Sequence, residues 1–178
     1  TDVVAVGKSA LEDNTTGIGN VAIGRFALGD NTTANGNVAV GGYDGSAQPA
    51  LRYNTTGANN VAVGSGALSA NTTASLHVAV GTQALEANTT GTRNSSFGHV
   101  SGASQTTGMD NTCIGYAAGN YQGAIVTGNH NTIIGAFCST SATNTNLAGG
   151  LGYNIDCEGG YTTLGNGGND IRASHGSP

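Results

Sequence analysis

Tryptophan is absent from this chain and aromatic residues together make up 5% of it, which excludes the large-ring core of an ordinary globular domain. Charged residues are just as scarce, at 8%. The five basic residues form no cluster, and with a net charge of −5 the chain lacks the face that nucleic acid or an anionic membrane surface requires. No apolar run approaches the ~18 residues of a spanning helix, so no membrane insertion by this segment is expected. Gly-x-Ser-x-Gly, His-Glu-x-x-His and the P-loop are all missing, which removes the usual nucleophile, zinc and phosphate motifs. No cofactor and no metal ion is expected. The three cysteines, Cys113, Cys138 and Cys157, are odd in number and without ligand spacing. Cys113 and Cys138 stand where other copies of a repeat have Ala, and read as small apolar filler. The chain opens on Thr1 with neither an initiator methionine nor a charged-then-apolar leader, and reads as a fragment or processed form of something longer.

Glycine, by contrast, occurs 31 times. One glycine returns in the same setting at Gly7, Gly24, Gly41, Gly64, Gly81, Gly98, Gly115, Gly135, Gly150 and Gly165, most often 17 residues apart. Around it Asn20-Val21-Ala22-Ile23-Gly24 comes back as Asn37-Val38-Ala39-Val40-Gly41 and Asn60-Val61-Ala62-Val63-Gly64. A unit this short cannot bury an apolar face alone, so copies must stack into a solenoid. The apolar residues before each glycine alternate between large (Val21 and Ile23, Val38 and Val40) and small, which on a strand sends them to opposite faces. The expectation is that the branched residues fill the coil. The small ladder, Ala5, Ala22, Ala39, Ala62 and Ala79, then faces outward as the interface of an oligomer, because an apolar stripe along a monomer needs covering.

A second apolar pair follows in each unit (Ala27-Leu28, Ala50-Leu51, Ala67-Leu68) and is expected as a second short strand. The Asn-Thr-Thr that comes next reads as a turn, with its asparagines stacking into a side-chain ladder. The fold class expected is all-β, a parallel β-roll or β-solenoid of about ten short coils, forming a rod of roughly 45–50 Å. Residues 1–142 form the repeat region; residues 143–178, where the spacing shortens, form irregular C-terminal coils or a cap leading to a missing downstream segment.

The Asn-x-Val-Ala-Val/Ile-Gly unit resembles the head repeat of trimeric autotransporter adhesins, a left-handed parallel β-roll that trimerises along its length. The fuller form, Asn60-Val61-Ala62-Val63-Gly64-Ser65-Gly66-Ala67-Leu68-Ser69-Ala70-Asn71-Thr72-Thr73, is more similar to repeats in bacteriophage tail fibres and tailspikes that end in an endosialidase-type intramolecular chaperone. The left-handed winding and the trimer are what this resemblance implies. It also implies a virion protein mediating host attachment, with a bacterial cell-surface adhesin as the alternative and a polysaccharide-degrading tailspike as the less favoured one.

Site residues are few. The unit from Asn37 carries six extra residues, Asp44 to Pro49, and insertions in repeat proteins become loops on one face. Tyr43, Asp44 and Gln48, with Arg52 and Tyr53 nearby, are therefore the candidate receptor contacts, for a host cell-surface glycan or protein. A shorter insertion around Tyr121 makes Tyr116 to Tyr121 a second region of interest. His77 takes an asparagine position in the repeat. The Asn-Thr-Thr sequons read as turn chemistry rather than glycan acceptors. Asp156 and Glu158 have the spacing of a carboxylate pair on one strand, and Gly149 to Asp156 has one imperfect copy of a calcium-roll motif. Neither gathers supporting residues, and no catalytic residue is expected.

Overall fold

A computed structural model describes residues 2–176. Its regular structure consists of short strands: β1 (Val4–Val6), β2 (Val21–Ile23), β3 (Val38–Val40), β4 (Val61–Val63), β5 (Val78–Val80), β6 (Ser95–Phe97), β7 (Thr112–Ile114), β8 (Thr132–Ile134), β9 (Ser139–Thr140), β10 (Gly149–Tyr153), β11 (Asp156–Cys157), β12 (Tyr161–Asn166) and β13 (Asn169–Ser174). One sheet runs the length of the protein in the order β1 to β8, then β10, β12 and β13. Its strands pair in parallel with equivalent residues in register, Ala22 on Ala39 and Ala39 on Ala62. The protein is a parallel β-solenoid of about ten coils. Parallel pairing continues through β12, well past residue 142, and only β13 turns back antiparallel to end the sheet. The periodic glycine of the ninth coil is Gly152, not Gly150, because Leu151 pairs with Ile134 and Gly150 with Ile133.

The two faces of the strand are the reverse of the sequence expectation. Ala22, Ala39, Ala62 and Ala79 are fully buried inside the coils, and only Ala5, on the terminal coil, is exposed. The branched residues point outward. The reason is volume. Opposite the strand, each coil already holds a leucine (Leu28, Leu51, Leu68, Leu85) and two buried asparagines, or Asn88 and His77 in the coil of Leu85, which leaves room for a methyl group and little more. Valine and isoleucine suit the outer face, where a pleated surface accommodates β-branching.

The Ala-Leu pair is not a strand either. Around Phe26 and Leu28 the backbone makes consecutive turns, Ala27 N–H to Gly24 O and Gly29 N–H to Phe26 O, at 3.2 and 3.1 Å. Each turn has a positive φ at its third residue, +60° at Phe26 and +51° at Leu28. A left-handed leucine costs roughly 1–2 kcal/mol, whereas complete burial of its side chain contributes about 1.5–3 kcal/mol. Burial wins, and every Leu in this column is held that way, at Leu51, Leu68 and Leu85 as well.

Midway along, the core changes its filling. The strand-centre column grows from Ala79 to Ser96, Cys113 and Ile133, while the leucine column shrinks after Leu85 to Gly102 and Gly119. A Cβ on Gly119 would lie 2.5 Å from the Cys113 sulfur, so the thiol occupies the space the leucine vacated.

The repeat glycine has a different cause. Gly64 sits at φ +127°, and a Cβ there would stand 2.6 Å from the carbonyl carbon of Gly81 in the next coil. Left-handed strain and a backbone clash coincide. Gly64→Ala is expected to destabilise the protein by at least ~2 kcal/mol, read as a lower denaturant midpoint; an unchanged midpoint would refute this account of the repeat.

Candidate functional site

Where the chain leaves each strand past its glycine, the turns send residues inward and outward in adjacent pairs. Ala27, Leu28, Ala50 and Leu51 go into the core, so Arg25, Phe26, Arg52 and Tyr53 are left at the surface corner. Tyr43 stands at the same corner one coil on, at the place of Phe26, and the insertion adds Gln48. Deleting 44–49 on paper leaves Gly41-Gly42-Tyr43-Ala50, the same length as Gly24-Arg25-Phe26-Ala27, so the six residues are a true excursion from a regular coil.

These side chains meet. The Arg25 guanidinium lies 5.0 Å from the Phe26 ring centroid and 5.8 Å from that of Tyr43. Arg52 lies 5.4 Å from Phe26 and 5.6 Å from Tyr53. The Phe26 ring thus receives both cations, an arrangement favoured by its electron-rich face. Arg52 is neutralised by an ion pair with Asp30. Arg25 has no ion-pair partner among the described residues. Between these groups, Gln48 and Pro49 help enclose an open cleft of about 340 Å³. The Tyr53 hydroxyl donates to Gln48 Oε1 at 3.4 Å, and Tyr43 and Tyr53 are each more than two-fifths exposed.

Of the five residues expected from sequence, Tyr43, Gln48, Arg52 and Tyr53 line this one cleft. Asp44 does not. Its Oδ1 accepts from the N–H groups of Ser46 and Ala47, both at 2.8 Å, and these bonds hold its carboxyl below the ordinary carboxylate range. It shapes the loop. Arg25 and Phe26 were missed, although a signal was present: both follow Gly24 directly, and Tyr43 follows Gly41 at the offset Phe26 has from Gly24.

A second aromatic cluster lies at the corresponding corner of later coils. His99 stacks on Tyr116 at 5.6 Å, and Phe137 meets Tyr116, Tyr121 and Tyr153 edge-on at 5.0, 5.0 and 5.9 Å. Tyr116 and Tyr121 are thereby brought together through Phe137, as neighbours in a packed cluster with no guanidinium among these rings.

On the sheet's outer face, one column runs Val6, Ile23, Val40, Val63, Val80, Phe97, Ile114, Ile134, Leu151 and Leu164. Val6, Leu151 and Leu164 are 55%, 54% and 43% exposed. Beside it run Val4, Val21, Val38, Val61 and Val78. Where Gly149 interrupts this second column, the face dips into an apolar hollow of about 390 Å³ lined by Thr132, Ile134, Leu151 and Leu164.

Inside the coils two asparagine ladders run in parallel. In one, each Oδ1 accepts the backbone N–H of the next coil, Asn37 to Asn20 and Asn60 to Asn37 at 2.9 Å. In the other, the Asn-Thr-Thr asparagines bond side chain to side chain, Asn31 to Asn14 at 2.7 Å and Asn71 to Asn54 at 2.8 Å. The Asn31, Asn54, Asn71 and Asn88 sequon positions are fully buried, which agrees with turn chemistry. His77 belongs to the first ladder. Its Nδ1 accepts the Asn94 N–H at 3.2 Å, and burial pulls its pKa down to about 4.

Cys113, Cys138 and Cys157 are buried free thiols, and desolvation pushes Cys113 and Cys157 up to about 12. Glu158 is ion-paired with Arg172 at 2.9 Å, Asp156 lies on β11, and Gly149 to Tyr153 is strand β10. Among the described residues no three His, Cys, Asp or Glu side chains are grouped so as to hold a metal ion. Set against protein-family models, curated proteins and solved structures, the chain matches none of them.

Proposed function

We propose that this solenoid is the non-enzymatic shaft and attachment module of a homotrimeric, left-handed phage tail fibre or receptor-binding protein, carried on the virion and touching the host cell surface. The observation that carries the reading is the outward column from Val6 to Leu164, apolar in every coil. A monomer has no use for an uninterrupted apolar stripe of that length. Copies of the chain related by a symmetry axis parallel to the rod would cover it along its whole length, since the stripe repeats with the coil itself. The trimer interface is therefore assigned to the valine face and not to the alanine ladder, which is inside. The head of a bacterial trimeric adhesin shares this geometry and is the second reading, supported by the same repeat.

Light scattering tests the assembly, with a mass of about three times the 17.4 kDa chain expected; a compact monomer would overturn it. Attachment is tested by deleting residues 44–49, which returns the third coil to regular length. The deletion is expected to leave mass and melting temperature unchanged and to reduce retention of labelled protein on a panel of bacteria with different surface polysaccharides. Equal retention by the folded deletion would move the contact surface elsewhere.

A further inference from the structure

We infer that the cleft formed by Arg25, Phe26, Tyr43, Gln48, Arg52 and Tyr53 binds an acidic sugar, with Arg25 taking the carboxylate and the tyrosines flanking the ring. This rests on the attachment reading and gives it a ligand class. The argument begins with charge. In a chain of net charge −5 with only five Lys and Arg, two guanidiniums share one ring, and only one of them is compensated. Asp30 neutralises Arg52, which leaves Arg52 to hold Phe26 and Tyr53 in place. Arg25 keeps its full charge over the Phe26 and Tyr43 rings, with its planar fork of donors unused by any ion pair among the described residues. That fork matches a carboxylate in two parallel hydrogen bonds.

The remainder of the cleft fits a sugar ring. Its volume of about 340 Å³ is at the small end of the roughly 300–1,000 Å³ of ligand pockets. Tyr43 and Tyr53 present half-exposed rings for the apolar face of a pyranose, while Gln48 and the tyrosine hydroxyls offer donors and acceptors to its hydroxyls. Neutral sugars would use the rings and the amide and leave Arg25 unanswered. The corner at His99, Tyr116 and Phe137 has comparable rings without a guanidinium, so it serves as an internal control.

Two carboxylate-bearing classes have this chemistry, uronic acids and sialic acids. The experiment titrates the intact protein with a trisaccharide of galacturonic acid and with a sialyl-trisaccharide, each beside its carboxyl-reduced neutral counterpart, and follows binding by ligand-observed NMR. At least one acidic probe is expected to bind ten times or more tightly than its reduced form. Arg25→Gln should remove that preference without changing the melting temperature, Arg25→Lys should restore part of it, and Tyr116→Ala should leave it intact. No preference for either acidic probe, or a preference that survives Arg25→Gln, overturns the inference. If the 44–49 deletion abolishes retention on bacteria while the acidic probes show no preference, the ligand class falls and the attachment reading stands. If the probes bind through Arg25 while the deletion leaves retention unchanged, the cleft stands as an acidic-sugar site and host contact runs through another surface.

Discussion

Replacing Val40 and Val63 together by aspartate is expected to turn a trimer into a folded monomer. Both residues lie on the outer column of the sheet, one coil apart and directly paired. In the isolated chain their side chains are partly exposed, so a carboxylate there can turn to water and costs little. Beneath a neighbouring copy the same carboxylates would be buried without partners, at several kcal/mol each. Light scattering should therefore fall from three chain masses to one while circular dichroism keeps its β signature. The companion variant separates the two faces. Ala39→Asp with Ala62→Asp puts carboxylates inside coils where both alanines are completely buried, and it should unfold the chain rather than merely dissociate it. If the alanine variant stays folded and the valine variant stays trimeric, the assignment of faces to core and interface is wrong.

That assignment shows where the sequence stopped being legible. The recurring glycine establishes the solenoid, the period and the register of the first eight strands, and the alternation of Val-Ala-Val establishes that two unlike apolar faces exist. Nothing in the alternation says which face is inside. Hydrophobicity favours the larger residues, and the answer turned instead on volume across a narrow coil, where Leu28 and its equivalents, held at positive φ, had already filled the space. The left-handed leucines were equally unreadable, since leucine carries no signal for that conformation; the pair Ala27-Leu28 looks like a strand until its turns are seen. In the ninth coil, glycines at 149, 150 and 152 crowd the repeat position, and only the apolar residue before it, Leu151 in register with Ile134, marks Gly152 rather than Gly150. For the candidate cleft, the insertion gave Tyr43, Gln48, Arg52 and Tyr53, whereas Arg25 and Phe26 required the coils to be laid in register.

His77 is the one ladder residue whose hydrogen bonding can be switched by pH, and the sign of its effect follows from its partners. At the equivalent place in neighbouring coils an asparagine Oδ1 accepts the next backbone N–H, as Asn60 does from His77 itself at 3.0 Å. His77 reproduces this with Nδ1 as acceptor for Asn94, so its proton sits on Nε2, where the Gly91 carbonyl can receive it. Nε2 also lies 3.1 Å from the Asn88 amide nitrogen. A second proton would have to go on Nδ1, facing the Asn94 N–H, donor against donor in a fully buried site. The folded chain therefore resists protonation down to about pH 4, whereas the unfolded chain takes the proton near the ordinary value of 6.5. Between those values the unfolded state binds more protons, so stability is full above pH 6.5, declines as pH falls, and levels off below about 4. At ~1.4 kcal/mol per unit, the loss amounts to about 3 kcal/mol per chain. His77→Asn restores the ladder residue and removes the titration. Urea unfolding at pH 7.5, 5.5 and 4.5 should show wild type and variant within about 1 kcal/mol of each other at the highest pH, with the variant increasingly the more stable at the lower two. Carboxylates elsewhere titrate alike in both proteins and cancel in the difference. A difference that does not change with pH would mean that His77 accepts its second proton as readily in the folded ladder as in water.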